Sequence, residues 1–163
     1  MDAVKRLLSV LERLLTEHQR LVRLTERQQQ ALIHFDTTNL ESVVEEINRV
    51  VTRVHTLEAE RRELEVELSR AYPQAAAPLT VTELARWLDA ATAYRLQTVA
   101  AELREVMLRL RQLSAENERI TQRSLGYIEK MFEWIRGSAA GPAYGPRVRS
   151  AGPGVTVAVN VQA

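Results

Sequence analysis

Between Leu40 and Leu68 apolar side chains recur in a seven-residue register: Leu40, Val43, Ile47, Val50, Val54, Leu57, Leu64 and Leu68, with Arg61 the one polar member of the seam. Alternating steps of three and four place them all on one stripe of an α-helix, whereas a strand would scatter them over both faces. So narrow a stripe on so long a helix is buried only against other helices with the same pattern. Two further stretches supply it. One carries Val4, Leu7, Leu8, Leu11, Leu14, Leu15, His18, Leu21 and Val22 from about Asp2 to Ile33; the other carries Leu96, Val99, Leu103, Val106, Leu110 and Leu113 within about Thr92 to Arg136. The expected fold is all-α, an elongated antiparallel bundle of three long helices plus a short connecting one.

The breaks between these stretches differ in chemistry. After Ile33 the chain reads His34-Phe35-Asp36-Thr37-Thr38-Asn39, where Asp36 or Thr38 can cap the second helix, about Asn39 to Arg70, by accepting a bond from an orphan backbone N–H. Residues Thr25 to Gln30 are polar all round, so that end of the first helix is expected to hold its partners weakly unless Leu32, Ile33 and Phe35 clamp the turn. Proline ends the second helix between Tyr72 and Pro78, because it lacks an amide donor and clashes with the preceding turn. Thr80-Val81-Thr82-Glu83 has capping-box spacing and predicts a short helix to about Leu88, with Leu84, Trp87 and Leu88 facing inward. Gly137 is the expected terminator of the last helix. Glu58, Glu60, Glu63, Glu65 and Glu67, interleaved with Arg61, Arg62 and Arg70, read as a solvated face laced by pairs within the helix.

Helix lengths add a constraint. At 1.5 Å per residue the first two helices span roughly 46–48 Å and the last about 67 Å, so about 14 residues, 123–136, are expected to overhang. There the apolar pattern doubles: Ile120, Tyr127, Met131 and Trp134 continue the seam, while Leu125, Ile128, Phe132 and Ile135 form a second face. Asn117 and Ser124 are polar seam residues. They either fix the register, as a buried Asn does in coiled coils, or mark where a core gives way to a partner site. Gly126 costs a helix interior about 1 kcal/mol relative to alanine, which implies close backbone approach or a bend.

Composition removes several function classes. The absence of cysteine excludes thiol catalysis, disulfides and cysteine metal sites. No apolar run approaches the roughly 20 residues of a membrane span and no signal peptide is evident, so a cytoplasmic location without membrane insertion is expected. A net charge of +1 gives no global field for nucleic acid. His18, His34 and His55 lack metal-ligand spacing, so no metal or cofactor is expected. Glu60/Glu63 and Glu102/Glu105 have the Glu-x-x-Glu spacing by which all-α nucleoside triphosphate pyrophosphohydrolases hold magnesium, but they lie off the inward seam that a bundle metal site needs. From residue 138 the chain is rich in Gly, Ala and Pro, with Tyr144 in Ala143-Tyr144-Gly145-Pro146, and Val155 to Val161 alternates like a strand. Two segments are therefore expected, a helical domain at 1–137 and a flexible tail at 138–163.

Ala31-Leu32-Ile33-His34-Phe35-Asp36 with Leu40-Glu41, the run Leu57-Glu58-Ala59-Glu60-Arg61-Arg62, and Leu113-Ser114-Ala115-Glu116-Asn117-Glu118 followed by Ser124-Leu125-Gly126-Tyr127 together resemble FlgN-type flagellar export chaperones. So does the break to Tyr144-Gly145-Pro146, and the resemblance covers about residues 3–146. It implies a cytoplasmic helical protein without catalytic residues, which binds hook–filament junction proteins before type III export, largely through its C-terminal helical region. Export-apparatus components are further partners it implies. On this chain the expected partner-binding residues are Asn117, Ile120, Ser124, Leu125, Tyr127, Ile128, Met131, Phe132, Ile135 and Tyr144. The rival readings are a coiled-coil protein that dimerises through the same face and, remotely, the magnesium pyrophosphohydrolase.

Overall fold

A computed structural model describes residues 2–72 and 79–139, with side chains to residue 137. The described chain is helical throughout: α1 Asp2–Ile33, α2 Thr37–Ala71, α3 Val81–Ala85 and α4 Ala90–Ala139. The break at Pro73–Pro78, the tail residue Tyr144 and the alternating stretch Val155–Val161 lie outside the described residues. By its internal contacts the chain divides after Gly126 into two compact units.

In the first unit, cross-helix ion pairs give direction and register. Arg6 meets Glu67, Arg13 meets Glu60 and Arg27 meets Glu46, each at 3.3 Å, while Arg53 meets Glu17 at 3.1 Å. Positions rise along α1 as they fall along α2, so this pair is antiparallel. Arg95 on α4 meets Glu12 at 2.6 Å and Arg109 meets Glu26 at 3.4 Å, so α4 runs parallel to α1. Such exposed pairs contribute about 0–1 kcal/mol each, and their value lies in selecting a register. The charged run on α2 is accordingly only partly self-paired. Arg61 bridges Glu58 and Glu65 on its own helix, whereas Glu60 and Glu67 reach across to α1.

The core follows the three seams. One cluster joins Val4, Leu7, Leu11 and Leu14 of α1 to Leu57, Leu64 and Leu68 of α2, Leu84 of α3, and Leu96, Val99 and Leu103 of α4. Leu84 thereby seals the end where α1 begins, α2 finishes and α4 starts. A second cluster holds Leu21 and Leu24 against Val43 and Val50, with Leu110 beside it.

Each junction is closed by a short-range bond. Asp36 caps α2, its Oδ1 accepting from the Asn39 N–H at 3.0 Å; Thr80 caps α3, accepting from Glu83 at 3.1 Å. Asp89 caps α4, accepting from Thr92 at 3.0 Å. Those backbone bonds hold the Asp89 carboxyl below the ordinary carboxylate range. At the end of α1 the Asp36 N–H donates to Ala31 O and the Phe35 N–H to Leu32 O, a Schellman pair. Phe35 occupies its left-handed position with φ 54°, where glycine is usual.

Four expectations change. Phe35 and Ile33 do not clamp the first turn; Phe35 is 69% exposed. Trp87 is 49% exposed because α3 stops at Ala85, so Trp87 falls outside the helix and leans on Tyr72 with ring centroids 6.4 Å apart. Gly137 does not terminate α4, which continues to Ala139: glycine stops a helix by adopting positive φ, and Gly137 does not. Finally, a Cβ at Gly126 would meet nothing within 4 Å, so no described backbone approaches it closely.

Candidate functional site

The polar part of α1 proves to be where α4 is fixed by hydrogen bonds. Asn117 is 5% exposed, and its Nδ2 donates to Thr25 O at 2.9 Å and to Gln28 Oε1 at 3.0 Å. Gln29 donates to Glu116 alongside, at 3.1 Å. The Asn117 Oδ1 is buried without a partner. Asn117 is thus engaged with α1 rather than presented on the surface. Ile120 and Ser124 are half-buried, and the Ser124 hydroxyl donates back to Ile120 O at 3.0 Å. Leu125 is exposed.

In the second unit, the helical stretch that starts at Tyr127 carries large apolar groups on much of its circumference. Tyr127, Ile128, Met131, Phe132, Trp134 and Ile135 are all exposed. With Leu125 they make seven of the fifteen exposed large apolar side chains among the described residues, at 39–73% exposure. Glu129, Phe132, Glu133 and Arg136 line an open concavity of about 510 Å³. Of the ten residues expected at the partner site, six therefore present side chains to solvent, Ile120 and Ser124 do so in part, Asn117 faces inward, and Tyr144 is outside the described residues.

Among the described residues no group of three or more Asp, Glu or His side chains is placed to hold a metal ion. Glu60 is paired with Arg13, while Glu102 is solvent-exposed. Nor is any described helix long and apolar enough to cross a membrane.

A family model described as FlgN protein matches residues 1–151 of the chain. The chain belongs to the FlgN family. Its general role is that of a flagellar export chaperone, and FlgN is a chaperone family rather than an enzyme family. The FlgN match spans every described helix, including the exposed apolar stretch of α4. No curated protein and no solved structure matches the chain.

The first unit also carries an apolar groove that its heptad seams do not announce. It lies between α1 and α4, measures about 630 Å³, and is lined by Leu11 and His18 from one helix and by Leu103, Met107 and Leu108 from the other. A signal was present: Val106-Met107-Leu108 is a run of three apolar residues where a strict seam calls for one.

Proposed function

We propose that this FlgN-family chain is a cytoplasmic chaperone of hook–filament junction proteins. In this reading it holds an amphipathic terminal helix of the client on the exposed face of α4 and releases it at export. The observation that carries the proposal is the run of seven exposed apolar side chains from Leu125 to Ile135. Apolar surface this dense on one helix is a docking face, because a soluble chain gains nothing by leaving it wet. Leu125, Ile128, Phe132 and Ile135 recur at the spacing that receives an amphipathic helix, and burying a Leu, Ile or Phe fully contributes about 1.5–3 kcal/mol. Met131 adds a deformable contact suited to more than one client sequence. Tyr127 offers a ring with a polar tip. Asn117 acts by anchoring α4 to α1.

The test is co-purification of the full chain carrying Leu125→Ala, Ile128→Ala and Phe132→Ala with hook–filament junction proteins. Loss of the client, with helicity and mass unchanged, is the expected result. Retained client binding contradicts the site. A change from dimer to monomer with no effect on the client would assign the face to self-association instead.

A further inference from the structure

The α1–α4 groove lies wholly within the first unit, and no α2 residue lines it. Its described lining comes from α1 and α4 alone. Buried Leu11 and Leu103 form its floor, while Met107 and Leu108 on its rim are 49% and 54% exposed. Arg104 and Arg111 also line it. On α4 the four residues Arg104, Met107, Leu108 and Arg111 stand at i, i+3, i+4 and i+7, so they form one stripe with an apolar centre and a cation at each end.

Charge decides what fits. Arg95 and Arg109, on the same helix, are satisfied by Glu12 and Glu26 of α1, but neither Arg104 nor Arg111 pairs with any described carboxylate. A second copy docked groove to groove about a two-fold axis would set these arginines against their equivalents. The chain's own segment after Glu133 has Arg136, Arg147 and Arg149 and no acidic residue, so it cannot neutralise them either. A partner helix with an apolar stripe flanked by carboxylates one heptad apart, about 10 Å along its axis, meets both requirements.

We infer that the α1–α4 groove is a second docking surface, which receives an acidic amphipathic helix of a partner protein between Arg104 and Arg111. This inference does not rest on the client face of α4. The probe is a labelled synthetic helix of about four turns with leucines at i, i+3 and i+7 and glutamates flanking them, titrated into the full-length protein and followed by fluorescence anisotropy. The control peptide has lysine in place of each glutamate. Saturable binding of the glutamate peptide is expected, weakened about tenfold or more by Arg104→Glu with Arg111→Glu, and similarly by Met107→Ala with Leu108→Ala. The charge-reversed protein should in turn prefer the lysine peptide, a rescue that mere unfolding cannot produce. Substitution of Leu125, Ile128 and Phe132 should leave this binding unchanged while abolishing client binding, so the two surfaces succeed or fail separately. Equal affinity for both peptides, or loss of peptide binding only when the 125–132 face is altered, would overturn the inference. So would self-association that vanishes with the Arg104/Arg111 reversal, since the groove would then belong to a second copy.

Discussion

Asn117 allows a quantitative test of how α4 is held. Replacing it with leucine removes two hydrogen bonds, to Thr25 O and Gln28 Oε1, at a net cost of about 1 kcal/mol each. The Thr25 carbonyl and the Gln28 amide can then return to other partners or to water. The same substitution removes the buried, unpartnered Oδ1, whose desolvation costs about 1–3 kcal/mol, so these two effects roughly cancel. What remains is a fully buried leucine in the seam next to Leu113, and even partial realisation of its roughly 1.5–3 kcal/mol leaves the variant about 1 kcal/mol more stable. Asn117→Ala removes the same bonds and the same Oδ1, so what remains is the cavity it opens, which places it about 1–2 kcal/mol below the parent. Urea unfolding followed by circular dichroism reads both. With m of about 1–3 kcal/mol/M, the two midpoints should lie about 1–3 M apart, one on each side of the parent, at constant m. If Asn117→Leu proves as destabilising as Asn117→Ala, the Oδ1 is satisfied and the reasoning fails.

Gly126→Ala should raise helicity and stabilise the protein by about 0.5–1 kcal/mol in thermal unfolding, because φ is not positive and the new Cβ meets nothing. Phe35→Gly should also stabilise, by about 1 kcal/mol in urea, since it relieves a left-handed phenylalanine that is already mostly solvated. The depressed Asp89 carboxyl predicts a pH effect of definite sign: its contribution is complete above its unfolded value, near 3.8, and is lost as pH falls through the lower folded value. Asp89→Asn keeps the capping acceptor but removes this titration, so the variant's acid-unfolding curve should be shallower than the parent's below that pH, and an unchanged curve would refute the assignment. Arg61, whose burial disfavours its charge, is nevertheless raised by hydrogen bonds and charge from Glu58 and then Glu65. Arg61→Met should consequently be close to neutral in salt-dependent unfolding, because a half-buried pair returns little beyond its desolvation.

The seams were legible because burial in a bundle follows period: of the aliphatic seam expected on α2, Val43, Val50, Leu57, Leu64 and Leu68 are buried, while Leu40, Ile47 and Val54 are half-buried. The Asp36 and Thr80 caps were legible for a local reason, since an Asp or Thr oxygen reaches an N–H two or three residues on, whereas the Asp89 cap of α4 was not read from the sequence. What spacing could not show was anything decided by a neighbouring helix. Glu60 looked solvated because its partner, Arg13, is 47 residues away. The stretch Thr25 to Gln30 looked weak because Asn117, which binds it, lies on another helix. The groove escaped notice because a seam describes what a helix buries, whereas a groove depends on which side the third helix leaves open. The side chains from Leu125 to Ile135 were legible as apolar, whereas their exposure is something that no pattern reports.

The ion-pair ladder between α1 and α2 has one consequence for misfolding. Arg6, Arg13, Arg20 and Arg27 repeat every heptad, so a hairpin slipped by one heptad still finds glutamates for some of them, and the apolar seams tolerate the shift. Arg53 breaks that degeneracy. In the native register it reaches Glu17, whereas a slip in either direction would put Val10 or Leu24 at that level and Arg13 or Arg27 nearby. A pair that adds little to the native state thus penalises its nearest competitors, and Glu17→Arg should populate alternative hairpins before it lowers the melting temperature.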